Sequence, residues 1–377
     1  MYCACRGKKC RLFVDGAATG VEYEEISFPQ YSDDGKHLAY LGKRGKKWVA
    51  LVDGKETGPE MDIFDFRHWG FNPGGSRFYV ATSPRVARFH ELEWMYVVDG
   101  ATGPGFAAVS RIAFSRDGKH YAYAGAKVKV GWKDKPRGTL VVDGQPRDTF
   151  EGRSFFEGEM VTGALNFVPE FHGISNPEFD PEGKVVYAAR RAAGDVAVFV
   201  GDGAGPGFDD IVSPVIFSPD GKHFAYVAQQ GEDFVEVRDN RPGAKFPGKR
   251  AVSFVQWMYV TNEPEHHMAY EIVRGGARFM NRLTDRALRR VVIDGQPGPE
   301  YDVSSMNGLR FSKDFAHYGY EIHGIEGKHA RVRIDGQESR SYDDVVVWSL
   351  TLAAEPGTAS FIACDKQKLL RVSLPIH

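Results

Sequence analysis

The chain has 377 residues, with 48 basic and 50 acidic side chains and a formal net charge of −2. That balance leaves no global field for nucleic acid or an anionic membrane, and no apolar run approaches the roughly 18 residues of a membrane helix. Its 43 glycines, 20 prolines and 26 phenylalanines suit many short strands joined by tight turns, because glycine supplies positive φ and aromatics favour pleated surfaces.

The first ten residues, "MYCACRGKKC", carry charge where a secretory leader would be apolar. Cytoplasm is the default compartment; a leader lost upstream would move the protein to the periplasm or outside the cell. Residues 2–16 match residues 40–54 position for position, so the chain opens inside the second strand of a repeat. Cys3 and Cys5 share one strand face, since side chains alternate with period two, and Cys10 begins the partner strand. Three ligands without a fourth make a poor structural zinc site, and the aligned Leu41, Lys43 and Trp48 are no ligands. The three are expected to be ordinary strand residues without a metal, a disulfide being open only to an oxidising compartment.

Next comes "YSDDGKHLAY" at 31–40, rewritten as "FSRDGKHYAY" at 114–123, "FSPDGKHFAY" at 217–226 and "FSKDFAHYGY" at 311–320, with weaker copies at 71–80 and 179–188. A strand ending in Val-Asp-Gly or a variant follows each copy, closing at Gly54, Gly100, Gly144, Gly203, Asn240, Gly295 and Gly336. Two more units, 258–270 and 352–363, are placed by spacing, giving a period of roughly 46 residues. Each unit predicts four strands. Strand a runs into the Phe-Ser pair, a Pro-Asp-Gly type turn leads into alternating strand b, strand c ends in the Asp-Gly hairpin signal, and a short strand d follows. Four-stranded antiparallel sheets repeated about an axis make a β-propeller.

The Phe-Ser-Pro-Asp-Gly-Lys run followed by an aromatic strand resembles the TolB-like, WD-repeat-like propeller repeat, although the Trp-Asp and Gly-His signatures of true WD repeats are absent. The resemblance covers nearly the whole chain and implies one all-β propeller domain over 1–377; the repeat count, seven full units and one composite closed from both termini, predicts eight blades, with seven as the alternative. It says little about function, since such propellers include scaffolds, peptidase amino-terminal domains and a few lyases.

His37, His120, His223 and His317 recur at one place in successive units, too far apart for one ion, and read as structural. Asp34, Asp117, Asp220 and Asp314 read as turn residues bonding their own backbone, because a calcium loop needs clustered oxygens. No catalytic motif is present: there is no G-x-S-x-G elbow and no α/β half. His266 and His267 fall on opposite strand faces. His68, Glu178 and Glu263, near strand a or its turn, are the candidates for a site at the channel mouth.

Two departures from the repeat point to function, as long insertions on a rigid scaffold do. One is 145–178, the other 273–290. In the second, Arg274, Arg278, Arg282 and Arg286 recur every four residues, followed by Arg289 and Arg290. On a helix they form a basic stripe beside Phe279, Met280, Leu283 and Ala287, and Arg274, Arg278, Arg282, Arg286 and Arg289 are the expected binding residues. Their repulsion would be offset by acidic strand d segments such as "PEYD" (299–302), or by an acidic partner, protein or polyanion. The expectation is therefore a non-catalytic binding or scaffold propeller with a protein partner and no cofactor. The alternative is a hydrolase or lyase acting at the mouth of the central channel.

Overall fold

The computed structural model describes residues 1–83, 93–127, 137–151, 174–213, 215–218, 222–247, 253–260, 268–274, 278–279, 282–283, 287–294, 296–303, 305–313, 316–324, 329–353 and 357–376. Among them there is no helix, and none therefore long and apolar enough to cross a membrane. The chain forms two compact units, Met1–Gly207 and Phe208–His377, both built from the same antiparallel sheet.

The unit is clearest in Glu25–Tyr31, Leu38–Arg44, Lys47–Val52 and Lys55–Met61, which pair in chain order as strands a, b, c and d. Among the described residues seven sheets follow this a–b–c–d order, some with strand a or d broken into two short pieces. The first sheet has three strands, Tyr2–Arg6, Lys9–Val14 and Ala17–Tyr23. In the last, strand a is Thr351–Ala353, with Thr358–Asp365 and Lys368–Pro375 as b and c. The chain is thus an all-β protein of four-stranded propeller blades.

The Asp-Gly signal works as its chemistry requires. Asp15, Asp53, Asp99, Asp143, Asp239, Asp294 and Asp335 all sit at φ between 47° and 51°, the left-handed conformation that both central residues of a type I′ turn adopt. Aspartate and glycine tolerate it where β-branched residues do not.

Strand b lies at the centre of each blade and is apolar on both faces. Tyr40 and Leu41 are neighbours pointing to opposite sides, yet both are fully buried. Tyr40 packs with Leu12, Tyr23 and Leu51, while Leu41 packs with Met61 of its own sheet and with Phe78 and Val97 of the next. The core is therefore a series of layers between successive sheets. Each such side chain contributes about 1.5–3 kcal/mol by leaving water.

Strand d shifts register against strand c in four sheets, and strand a is irregular too. Its register against strand b shifts between Ser27 and Gln30, Phe64 and Trp69, Val255 and Met258, and Asn307 and Arg310. Bulges of this kind re-aim side chains and interrupt pairing.

Candidate binding surface

Serine, histidine and aspartate meet in four copies of the repeat, but as a structural clasp. His37 Nδ1 lies 2.8 Å from Asp53 Oδ2, while Asp53 Oδ1 accepts the Leu38 amide at 2.9 Å. The same pair of contacts joins His120 to Asp143, His223 to Asp239 and His317 to Asp335. Ser32 Oγ accepts the backbone amide of His37 at 3.0 Å, not its ring. Ser115, Ser218 and Ser312 do likewise. Each of these hydroxyls thus closes its own turn by accepting a main-chain N–H. The turn aspartates join the same network. Ser32 donates to Asp34 Oδ1 at 2.6 Å, and this bond, with those from Lys36, holds the Asp34 carboxyl far below the carboxylate range. Ser115 and Lys119 hold that of Asp117 down at about 2. Asp220 and Asp314 lie outside the described residues. In the 71–80 copy Arg77 replaces the histidine, bonding Asp99 and reaching on to the Lys119 carbonyl of the following repeat at 3.0 Å.

The described residues of the arginine segment are strand. Arg274 ends strand Met268–Arg274, opposite Ser253 and Leu288. Arg278–Phe279 and Arg282–Leu283 pair with each other as a small antiparallel ribbon, and Arg286 lies outside the described residues. Arg289 is buried in strand Ala287–Ile293, opposite Val273 and Tyr301. Arg290 pairs with Glu300 at 3.3 Å, within the acidic segment expected to offset it. The four-residue spacing thus produces no helical stripe among the described residues. The β-branched run Val291-Val292-Ile293 extends strand pairing back through Arg289 and Arg290, and the period-two ladder overrides the helical period. Of the other departure, 145–178, the described parts are strand Gln145–Glu151 and residues 174–178.

Within Met1–Gly207, the breaks in strand a bring ionisable groups together. The bulge between Phe64 and Trp69 carries Asp65 and His68, whose Oδ2 and Nδ1 are 3.4 Å apart. Arg111 lies between the two short pieces of the next strand a, Ala108–Val109 and Ala113–Phe114. Its charge is felt at His68, Tyr79 and Glu178. Burial lowers His68 and raises Glu178. Burial also opposes the charge of Asp65, but hydrogen bonds from Arg67 win and hold its carboxyl low. Glu263, the third sequence candidate, lies outside the described residues.

Within Phe208–His377, the sequence reading missed a second break. Glu321 occupies the strand b position held by Leu41, Ala124 and Val227 in other copies, and it is fully buried. Its two oxygens accept the backbone amides of Trp348 at 2.9 Å and Leu350 at 3.1 Å. Gly308, at φ 66°, makes room for the carboxylate, since a Cβ there would lie 2.9 Å from Glu321 Cδ. The pinned turn exposes Val346, Val347 and Trp348, the last 61% accessible at φ 68°. The Arg310 guanidinium stacks on the Trp348 ring at 5.1 Å. The visible signal was a glutamate, shared with Glu271 of the preceding repeat, in a column that is apolar at Leu41, Ala124 and Val227.

No family model matches the chain, and no curated protein does. Solved structures similar to it include a prolyl endopeptidase (12% identity over 92% of this chain and 53% of that one, TM-score 0.33). Others are the β-propeller domain of the trilobed protease from Pyrococcus furiosus (12%, 71% and 82%, TM-score 0.32) and TolB from Acinetobacter baumannii (15%, 60% and 55%, TM-score 0.27). The chain spans about half the length of the prolyl endopeptidase. Overlaps this loose carry no conclusion about this chain, and its fold rests on its own repeated sheets.

Proposed function

We propose that the chain is a non-catalytic binding propeller that engages an acidic, partly apolar segment of a partner protein through Trp348 and Arg310. The observation that carries this reading is the pinned turn. A buried carboxylate and a left-handed tryptophan both cost stability, yet together they hold a large aromatic side chain in water. Tryptophan and arginine are the residue types that dominate interface energetics. The Arg310 guanidinium, over the indole with one nitrogen donating to the Leu309 carbonyl at 3.3 Å, has five N–H donors and so retains others for a carboxylate. Arg274, Arg278 and Arg282, carried on the ribbon and its flanking strand, are further cationic contacts in the same proposal.

A random-peptide display selection on the full chain tests it. Enriched peptides should combine Asp or Glu with a large apolar residue, and should lose binding to Trp348→Ala and Arg310→Glu. Peptides that bind the Trp348→Ala variant undiminished would refute the assignment.

One observation favours a hydrolase or lyase instead: Asp65 and His68 meet at 3.4 Å on the strand a bulge, and the Arg111 charge acts on both His68 and Glu178, a gathering of ionisable groups of the kind an active site uses. Turnover of an ester, glycoside or uronide panel that disappears in Glu178→Gln would establish that reading. The binding proposal expects no turnover to lose.

A further inference from the structure

The first hairpin carries a feature that no other repeat has. Cys5 faces Cys10 across strands Tyr2–Arg6 and Lys9–Val14, and the two are joined as a disulfide. Cys3 follows on the same face of its strand, exposed and free. The three sulfurs lie within 4.8 Å of one another. The matching hairpin of the next repeat has Leu41, Lys43 and Trp48 at these positions, so the blade fold does not require the cysteines.

We propose that, once the disulfide is reduced, Cys3, Cys5 and Cys10 form a three-thiolate site for a single Cu(I) ion. Metal–thiolate bonds of about 2.3 Å place three sulfurs on a trigonal ion about 4.0 Å apart, a spacing this hairpin provides once the Cys5–Cys10 bond opens. Soft thiolates select Cu(I), for which three sulfurs suffice, whereas structural zinc takes four ligands. Three thiolates around one monovalent cation leave two negative charges. Arg6, Lys8, Lys9 and Arg11 offset them from the same hairpin, the last two already engaged with Glu22 at 3.5 and 3.6 Å. Cys10 is buried in strand Lys9–Val14, which anchors one ligand while Cys3 and Cys5 stay open to the incoming ion.

The chemistry balances. A dithiol reductant delivers two electrons and two protons to the Cys5–Cys10 bond and becomes a disulfide itself. Cu(I) then displaces the three thiol protons to solvent without changing oxidation state.

The test is an anaerobic titration of the full, reduced chain with Cu(I) against a chromophoric Cu(I) chelator. One ion per chain should bind, with a thiolate-to-copper charge-transfer band and a three-sulfur shell by X-ray absorption. Cys3→Ser, at an exposed position, should weaken binding at least about tenfold, since even outer-shell partners of a metal are worth that much. Cys364→Ser should bind like the unaltered chain, and the oxidised chain should lose the site. Failure of the reduced chain to bind Cu(I), undiminished binding by Cys3→Ser, or displacement of Cu(I) by equimolar Zn(II) would each overturn the proposal.

Discussion

Single residues in this protein act mainly by closing turns, and the aspartate of the strand c hairpin does most. Asp143 accepts both the Tyr121 amide and the His120 ring while sitting at φ 50°. Asp143→Ala should lower stability by about 1–2 kcal/mol, measured by urea unfolding, because a part-buried amide loses its acceptor. Asp143→Asn keeps one oxygen acceptor and the left-handed preference, and should lose less. Equal losses in the two variants would mean that the hydrogen bonds contribute nothing. His323 offers a pH handle. Pairing with Glu321, and more weakly with Asp344, raises its imidazole against the opposing effect of burial. A histidine raised in the folded state stabilises fully below its unfolded value of about 6.5 and loses that stabilisation as pH climbs through the folded value. The stability gap between the unaltered chain and His323→Asn should therefore widen as pH falls from about 8 to about 6. A gap independent of pH would show that the ion pairs do not govern this titration.

Strands and turns show where the repeat is copied and where it is put to use. Gly42 and Gly125 hold the same place in strand b, each under an aromatic ring from the preceding repeat, Tyr23 at the end of strand Ala17–Tyr23 and Phe106 at a bridge to Trp94. An added Cβ would lie 2.6 Å from Tyr23 Cγ and 2.3 Å from Phe106 Cδ2. Gly125→Ala should cost about 1–3 kcal/mol, the usual penalty of overpacking, read as a drop in melting temperature; an unchanged melting temperature would show that the ring moves aside freely. The 346–350 turn makes the opposite case. Replacing Glu321 by the residue type of Leu41, as Glu321→Leu, removes a buried charge and frees the Trp348 and Leu350 amides together. Hydrogen exchange at those two amides should quicken while global stability holds or rises, since a packed apolar side chain replaces a desolvated carboxylate. Unaltered exchange would show that the turn keeps its form without Glu321.

At the scale of the whole molecule, the described residues carry strands throughout and no helix, which suits a chain whose repeat alternates with period two from end to end. Far-ultraviolet circular dichroism should be β-dominated, and a helix content above about a quarter would be incompatible with stacked four-stranded blades. The arginine segment is the instructive exception. Its four-residue spacing is a helical pattern on paper, but a helix of about twelve residues is marginal without a docking face, and the flanking strands had already committed 287–293 to the sheet.

By itself, the sequence determined the blade: the alternating, β-rich b strand, the Asp-Gly hairpin signal that ends strand c, and the repeat that spaces them. These are local, period-two properties repeated down the chain, and local chemistry is what a sequence displays directly. Only the tertiary structure decided which side chains meet. Glu321 reaches Trp348 and Leu350 across 27 and 29 residues. Arg111 reaches His68 and Glu178 in other repeats, and Arg290 finds Glu300 inside a blade instead of facing solvent on a helix. Such meetings depend on how strand a bulges and on which blade lies next to which. Both are set by the packing of one sheet on another, a property that the repeat unit alone does not contain.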